Sequence, residues 1–262
     1  MHVYYARCII TMDLMLKDST LLVTAASQGL GFSVAKALVN EGARVIICGR
    51  TERTLKEASS KLGSNADYRI ADVSKSDDIQ NLIKSLDTLD GLYVNAGGPS
   101  PGEFSDLNDS DWEHAFELTL MSAVRLTREA IPLLKKAEHP SILYSTSISV
   151  KQPINNLLLS NSLRPAVIGM MRTLSEEVAA VGIRVNAVCP GYINTQRVEE
   201  LMAKSKTKES DPMKAITSRI PLGRMGHPDE FGVTCAFLLS PLASYIHGSL
   251  LLIDGGLYKG MM

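Results

Sequence analysis

A glycine-containing loop directly after an apolar run is the first segment of this chain suited to ligand chemistry. Leu21-Leu22-Val23 precedes Thr24-Ala25-Ala26-Ser27-Gln28-Gly29-Leu30-Gly31, and helical spacing follows from about Phe32 to Asn40. Glycines at a strand-to-helix turn let the backbone approach a pyrophosphate, and the helix N-terminus supplies amide donors and a partial positive charge. The pattern favours a phosphate-containing ligand, although each glycine alone is also consistent with an ordinary turn.

The elements that must position this loop are short apolar runs separated by amphipathic segments of helix length. The runs cover residues 21–23, 45–47, 68–70, 92–94, 142–144, 185–188 and 250–253. Such alternation predicts an α/β fold, a Rossmann-like doubly wound sheet of seven parallel strands in the order 3-2-1-4-5-6-7. We expect an N-terminal arm over residues 1–15 and a single domain over residues 16–262.

One polar stretch breaks the alternation. Residues 196–225, approximately, include Lys204, Lys206, Lys208 and the Ser210-Asp211-Pro212 breaker, and they follow the end of a strand. In open α/β sheets the ligand lies beyond the carboxyl ends of the strands. We therefore interpret this stretch as a lid over the ligand site.

Further landmarks follow other strands in a recognisable order. Asp72-Val73 follows the third run, Asn95-Ala96-Gly97 the fourth, and Pro190-Gly191-Tyr192-Ile193-Asn194-Thr195 the sixth, while Asp254-Gly255-Gly256 lies near the C-terminus. From about Leu16 to Leu257 the chain resembles the short-chain dehydrogenase/reductase family. Ala25 replaces the first glycine of that family's T-G-x-x-x-G-x-G loop.

The resemblance implies a bound nicotinamide dinucleotide. The pyrophosphate would lie at Ser27, Gln28, Gly29, Leu30 and Gly31, the adenine at Asp72 and Val73, the neighbouring ribose at Asn95, Ala96 and Gly97, and the nicotinamide amide at Ile193 and Thr195. Ala25, Pro190 and Gly191 complete the predicted cofactor site.

Arg50, which follows Gly49 at the end of the second run, indicates which dinucleotide is bound. NAD-specific members of the family commonly carry an aspartate there, whereas a guanidinium can pair with a 2′-phosphate. We expect NADP, with NAD as the alternative; a solvated surface arginine is the other interpretation of Arg50.

The family's catalytic positions are located by the tail of its Y-x-x-x-K motif. Arg164-Pro165-Ala166-Val167-Ile168-Gly169 matches K-x-A-V-x-G and places Ser160 at the tyrosine and Arg164 at the lysine. The same register places Ser147 at the catalytic serine and Thr119 at the helical asparagine. Only Ser147 therefore keeps the family's residue type.

These substitutions change the proton chemistry that the resemblance implies. A serine hydroxyl is a weaker acid and has a shorter reach than a tyrosine, so Ser160 is a poor substitute. Arg164 keeps the charge that would hold the nicotinamide ribose, but it stays protonated and cannot relay a proton. Lys151 and Tyr192 are the alternative proton donors.

Three functions are consistent with these residues. The first is an NADP(H)-dependent oxidoreductase acting on a carbonyl/alcohol pair, such as a 3-oxoacyl, sugar or other small ketone substrate, by an altered proton route. The second is a catalytically impaired sensor or scaffold protein that binds a dinucleotide. The third is another cofactor-dependent reaction, such as dehydration or epimerisation, because a fold does not fix a function.

Composition excludes several classes of partner. The 27 Lys and Arg balance 28 Asp and Glu without long blocks, so we expect no nucleic acid. The four cysteines form no C-x-x-C pair and no zinc spacing, which indicates free thiols, no metal and a cytoplasmic location. No apolar stretch reaches the roughly 20 residues of a membrane span.

By resemblance we also expect a homotetramer. In the family, the long helices after the fourth and fifth strands pair across a two-fold axis. Here they would cover about 111–135 and 156–181, with Ala123, Val124, Ala166 and Val167 at the interface.

Overall fold

Seven parallel strands form one sheet in the order β3-β2-β1-β4-β5-β6-β7. The computed structural model describes residues 12–203 and 212–261. The strands are β1 Thr20–Val23, β2 Arg44–Gly49, β3 Ala66–Ile70, β4 Gly91–Val94, β5 Ser141–Ser145, β6 Arg184–Pro190 and β7 Leu250–Ile253. Each predicted apolar run lies inside one of these strands. The predicted number, direction and order of the strands are confirmed.

Helices connect the strands. They are α1 Gly29–Asn40, α2 Glu52–Leu62, α3 Ser76–Lys84, α4 Asp109–Phe116, α5 Ser122–Leu134, α6 Leu158–Ala179, α7 Gln196–Ala203, α8 Pro212–Thr217 and α9 Pro228–Leu239. Helix α1 begins three residues before the predicted Phe32, because Gln28 is extended and the loop glycines belong to the first turn. The helix predicted over 111–135 is interrupted by a π-helical segment, Glu117–Met121, between α4 and α5.

Hydrophobic clusters cover both faces of the sheet. Successive residues of a strand point to opposite faces, so Leu21 and Val23 join one cluster while Leu22 joins the other. Side chains of α1, α2 and α9 complete the first cluster, and those of α3, α5 and α6 complete the second. Full burial of one such leucine contributes about 1.5–3 kcal/mol. Packing on both faces therefore fixes the carboxyl ends of the strands, where the site residues begin.

The predicted boundary segments are only partly described. Leu14 is already buried in the core, although it lies within the arm expected over residues 1–15. Helices α7 and α8 lie within the predicted lid, whereas Lys204, Lys206, Lys208, Ser210 and Asp211 lie outside the described residues. Across 12–203 and 212–261, no helix combines the length and apolarity needed to cross a membrane.

The predicted state of two cysteines agrees with the structure. Cys48 and Cys189 are free and fully buried, and so is Cys235. Burial raises the pKa of the Cys48 thiol to about 12, so this side chain is a neutral hydrophobic group at physiological pH. Cys8 lies outside the described residues.

Candidate active site

A cleft of about 540 Å³ opens at the carboxyl ends of the strands. Its walls come from the loops that follow β1 to β6, and therefore include the point between β1 and β4 where the strand order reverses. Ligands of open α/β sheets bind at such a point. The predicted residues that line the cleft are Ala25, Ser27, Gln28, Gly29, Leu30, Arg50, Asp72, Val73, Asn95, Ala96, Gly97, Ser147, Ser160, Arg164, Pro190, Gly191, Ile193 and Thr195. Gly31 and Thr119 do not line it.

The loop after β1 presents free backbone donors to the cleft. Gly29 has φ +61°, and a Cβ at this position would meet nothing within 4 Å. The side chain of Gln28 makes no capping hydrogen bond to α1, and the first turn of α1 contains no acidic residue. A helix N-terminus without a cap offers amide donors and a partial positive charge to an anion. The loop therefore fits a phosphate group.

Ala25, which the resemblance aligns with the family's first loop glycine, has a left-handed backbone conformation. Its φ is +49°, in the left-handed region that favours glycine. The Asn95 side-chain amide donates to the Ala25 carbonyl at 3.3 Å, and Thr24 Oγ1 donates to the Asn95 carbonyl at 2.6 Å. These bonds between the ends of β1 and β4 hold Ala25 in place.

Gly31 lies behind this loop rather than in the cleft. A Cβ on Gly31 would come within 2.5 Å of the Ala25 carbonyl oxygen and 2.8 Å of Ala26 Cα. Gly31 therefore permits α1 to pack closely against the loop, and the phosphate contact expected of Gly31 stays a prediction.

Arg50 and Asp72 lie together at the β2 and β3 end of the cleft. Burial alone would raise the pKa of Asp72, but hydrogen bonds from Ser74 and the charges of Arg50 and Lys75 hold it below its usual value. Ser74 Oγ donates to Asp72 Oδ1 at 2.7 Å. Arg50 is exposed and forms no ion pair with a described carboxylate. Its guanidinium is available to an anionic ligand.

Ser160 and Arg164 form a hydrogen-bonded pair one helical turn apart on α6. Arg164 Nε donates to Ser160 Oγ at 3.1 Å, and Ser160 Oγ lies 3.2 Å from Ser149 Oγ. Because Ser160 accepts from a guanidinium, its own hydroxyl proton remains available for donation. Ser149, on the short 3₁₀ turn Ile148–Val150 after β5, was not predicted as a site residue.

The guanidinium of Arg164 is tied to the end of β5. Nη1 donates to the carbonyls of Ser145 and Thr146 at 3.2 and 2.9 Å. Burial is the main cause that lowers the pKa of Arg164, to about 10, and the nearby charge of Arg197 lowers it further. Arg164 therefore stays cationic at neutral pH and supplies a fixed positive charge.

Ser147 lines the cleft as the resemblance implies. Its Oγ accepts from the backbone N–H of Ser149 at 3.1 Å. No described residue accepts the hydroxyl proton of Ser147, so the proton can be directed to a ligand oxygen.

Thr119 lies beside the cleft instead of in it. Its hydroxyl is buried and has no hydrogen-bond partner among the described residues. Thr119 lies within the π-helical segment, and it lines a small side cavity together with Arg164. Thr119 therefore has no described contact through which it could act on a ligand in the cleft.

The two alternative proton donors do not line the cleft. The amine of Lys151 lies over the ring of Tyr258, 5.9 Å from its centroid, and Tyr192 packs in a small cluster with Ile148 and Leu257. Tyr144 is buried in β5, and its hydroxyl is hydrogen-bonded to Thr127 Oγ1 at 2.6 Å.

Three cleft residues with charged or titratable side chains were missed: His114, Arg197 and Glu200. His114 lies on α4, one turn before the cleft residue Leu118, and Arg197 lies on α7 in the predicted lid. The i, i+4 spacing of His114 and Leu118 could have indicated a shared helix face. Nothing in the sequence around Arg197 indicates that its side chain enters the site.

A family model described as enoyl-(acyl carrier protein) reductase matches residues 24–258. The chain is 33% identical over 242 residues to the 3-oxoacyl-[acyl-carrier-protein] reductase FabG of Rickettsia prowazekii, covering 92% of this chain and 98% of that protein.

Two solved structures are similar over almost the whole chain. The L-sorbose reductase of Gluconobacter frateurii, complexed with NADPH and L-sorbose, has a TM-score of 0.88 at 27% identity and covers 95% of this chain and 100% of its own. An NADPH-bound short chain oxidoreductase of Pseudomonas aeruginosa, described as containing an atypical catalytic center, has a TM-score of 0.85 at 25% identity and covers 93% and 99%.

Proposed function

The chain belongs to the short-chain dehydrogenase/reductase family and is an enzyme of that family, and we propose that it is an NADP(H)-dependent oxidoreductase for a carbonyl/alcohol pair. One observation carries the proposal: Ser147, Ser160 and Arg164 line the same cleft as the phosphate-binding loop. The NADPH-bound structural relatives support the choice of cofactor. The substrate is a small molecule with a ketone or a secondary alcohol.

The cofactor would be held along the cleft by residues of successive loops. The loop from Ala25 to Leu30 would bind the pyrophosphate, and Arg50 would pair with the 2′-phosphate. Bound NADPH supplies the hydride for the carbonyl carbon. Arg50→Asp should reverse the preference from NADPH to NADH, because a carboxylate repels the 2′-phosphate and accepts from the ribose hydroxyls. Isothermal titration of both cofactors measures this change, and tighter binding of NADH by the wild type would contradict the proposal.

The substrate oxygen would be held by two hydroxyls and one fixed charge. Ser147 and Ser160 donate hydrogen bonds to that oxygen, and Arg164, 3.1 Å from Ser160 Oγ, stabilises the negative charge that develops on it. Ser160 can pass its proton to the oxygen, but it is a weaker acid than tyrosine. Arg164 stays protonated and so cannot supply a new proton to Ser160. Loss of a positioned general acid costs about 10²–10⁴-fold in rate, so we expect slow turnover.

Oxidation of NADPH in the presence of small ketones tests the reaction. We expect slow but measurable turnover with at least one ketone, and loss of that turnover in Ser147→Ala. Lys151→Met, which alters a residue outside the cleft, is the matched control and should keep the wild-type rate. Tight NADPH binding without any turnover would contradict this chemistry and favour the dinucleotide sensor or scaffold.

A homotetramer in the cytoplasm remains part of the proposal. Of the four predicted interface residues, Ala123 and Val167 are already buried against the sheet, whereas Val124 is half-buried and Ala166 is exposed. An interface on α5 and α6 would therefore use Val124 and Ala166. Light scattering that gives the mass of a single chain at micromolar concentration would contradict the tetramer. The buried free thiols agree with a reducing compartment.

A further inference from the structure

Arg197 is a charged cleft residue that the proposed reaction does not use. It lies on α7, and its Nη2 donates to the Pro99 carbonyl at 3.0 Å. The guanidinium lies over Gly98, where a Cβ would come within 3.2 Å of Nη2. Arg197 is therefore held against the loop after β4, and no described residue accepts from its Nε or Nη1.

Arg164, which the proposed reaction uses to stabilise the substrate oxygen, also keeps one donor without a described acceptor. It donates from Nε and Nη1 to uncharged acceptors, and no described residue accepts from its Nη2. Neither arginine forms an ion pair with a described carboxylate. Both side chains line the same cleft, and the positive charge of Arg197 contributes to the lowered pKa of Arg164. An anion between them would offset the effect of that charge.

The anionic groups of a dinucleotide do not account for the charge of Arg164. Arg50 follows β2 and Ser147 follows β5, and the strand order separates β2 from β5 by three strand spacings. At about 4.8 Å per spacing this is roughly 14 Å. The phosphate-binding loop after β1 is two spacings, or roughly 10 Å, from β5. The 2′-phosphate and pyrophosphate would therefore lie away from Arg164.

The carboxylates of the cleft do not neutralise the pair either. Asp72 lies at the β3 end, where Ser74 and the charge of Arg50 stabilise it. Glu200 is exposed on α7 and accepts from the Gln196 side chain at 3.1 Å. Asp72 and Glu200 are the only described carboxylates that line the cleft. Neither forms an ion pair with Arg164 or Arg197.

We propose that the substrate is an oxo acid, or the corresponding hydroxy acid, whose carboxylate is bound between Arg197 and Arg164. This inference rests on the proposed function and names the substrate class of the same site. A guanidinium fork pairs with the two oxygens of a carboxylate in a bidentate geometry. The substrate carbonyl would then be held near Ser147 and Ser160, since Arg164 contacts Ser160 directly.

Paired substrates test the role of the charge. The wild type, with NADPH, should reduce 2-oxo and 3-oxo acids with a higher kcat/KM than the uncharged methyl esters of the same acids. Arg197→Gln should raise KM for the acids roughly 10- to 100-fold, the range expected for a lost charge-assisted hydrogen bond, and leave the esters unchanged. Arg197→Lys should retain part of the preference. Arg219→Gln, an exposed arginine between α8 and α9 that does not line the cleft, is the matched control and should behave as wild type.

A binding measurement separates the substrate class from the reaction. Malonate has carboxylates and no ketone to reduce, so its titration into the NADPH-saturated protein reports the carboxylate site alone. We expect Arg197→Gln to weaken malonate binding and to leave NADPH affinity unchanged. An equal loss of NADPH affinity would overturn the inference, because the arginine would then serve the cofactor.

The remaining outcomes also decide between the two proposals. Equal kcat/KM for acids and esters would overturn the carboxylate site while the oxidoreductase stands. Malonate binding that depends on Arg197, without reduction of any ketone, would support the site and contradict the reaction. Failure to bind NADPH would refute the proposed function itself.

Discussion

The proposed register places Ser160 and Arg164 at the family's tyrosine and lysine positions, and restoring those two side chains should increase the rate of ketone reduction. In the double variant Ser160→Tyr with Arg164→Lys, a phenol replaces a hydroxyl of much lower acidity and a lysine lowers its pKa. A positioned general acid contributes about 10²–10⁴-fold, or 3–5 kcal/mol of transition-state stabilisation. NADPH oxidation under substrate saturation should rise by at least the lower part of this range. Ser147→Ala in the same background should abolish the gain, because Ser147 orients the carbonyl.

The same change should lower the stability of the fold. Arg164 donates three described hydrogen bonds, to Ser160 Oγ and to the carbonyls of Ser145 and Thr146. Each lost bond from a charged donor costs about 1.5–3 kcal/mol, and a lysine cannot satisfy three acceptors in this planar arrangement. For a domain of this size, 1 kcal/mol corresponds to roughly 2–4 °C in Tm. Loss of one bond should therefore lower Tm by several degrees while the rate rises.

Rapid turnover by the wild type, together with no effect of Ser160→Ala, would contradict Ser160 as the proton donor. The acid would then be another group of the cleft, and the structure names His114 as the next candidate because it lines the cleft. His114→Gln should in that case reduce kcat. Lys151→Met and Tyr192→Phe should not, since neither residue lines the cleft. If all of these variants keep full activity, the assigned catalytic register is wrong.

Three further predictions concern stability and reactivity. Ala25→Gly should raise Tm in a thermal melt. Removing the strain of an alanine in the left-handed region stabilises the folded state by about 1–2 kcal/mol, and the added conformational freedom of the unfolded chain offsets about 0.4–1 kcal/mol of this gain. Ala26→Gly, at a buried neighbour without a positive φ, should lower Tm, and the opposite order would contradict the strain at Ala25. Thr119→Val should be stabilising by about 1 kcal/mol in urea unfolding, because an unpaired buried hydroxyl is removed; a loss of stability would show that the hydroxyl has a partner. Alkylation mapped by mass spectrometry should leave Cys48 unmodified between pH 7 and 9, since burial raises its pKa to about 12, and should modify it after denaturation; labelling of the native protein in that pH range would contradict this pKa.

Most of the fold could be predicted because its signals are local. A run such as Leu21-Leu22-Val23 is buried on both faces, so every residue of the strand is apolar, and the helical spacing after it identifies a crossover. The interruption of the helix at Glu117–Met121 could not be predicted, since no proline or glycine marks it. Its position beside the cleft is typical of π-helical segments, which occur often at functional sites.

The site could be predicted where one backbone loop supplies the residues, and not where distant side chains meet. Arg197 reaches the carbonyl of Pro99 across 98 positions, and Ser149 approaches Ser160 from a different loop. Such contacts depend on how α6 and α7 pack over the ends of the strands, which the spacing of residues does not encode. Gly31 matches the phosphate loop by its spacing, but that spacing does not reveal its close packing against Ala25.

Ala25 and Arg164 show why the family's loop shape and its catalytic chemistry are separable in this chain. At Ala25 the hydrogen bonds among Thr24, Asn95 and the loop accompany a positive φ in a residue that disfavours it, so this backbone conformation does not require a glycine. At Arg164 the end of β5 provides two carbonyl acceptors that hold a cation whatever its proton chemistry. The scaffold thus preserves a backbone conformation and a charge, but it cannot preserve an acid, because acidity belongs to the side chain itself. The proposed replacement of the catalytic tyrosine and lysine is therefore compatible with the observed cleft, and its expected consequence is a lower rate of proton transfer.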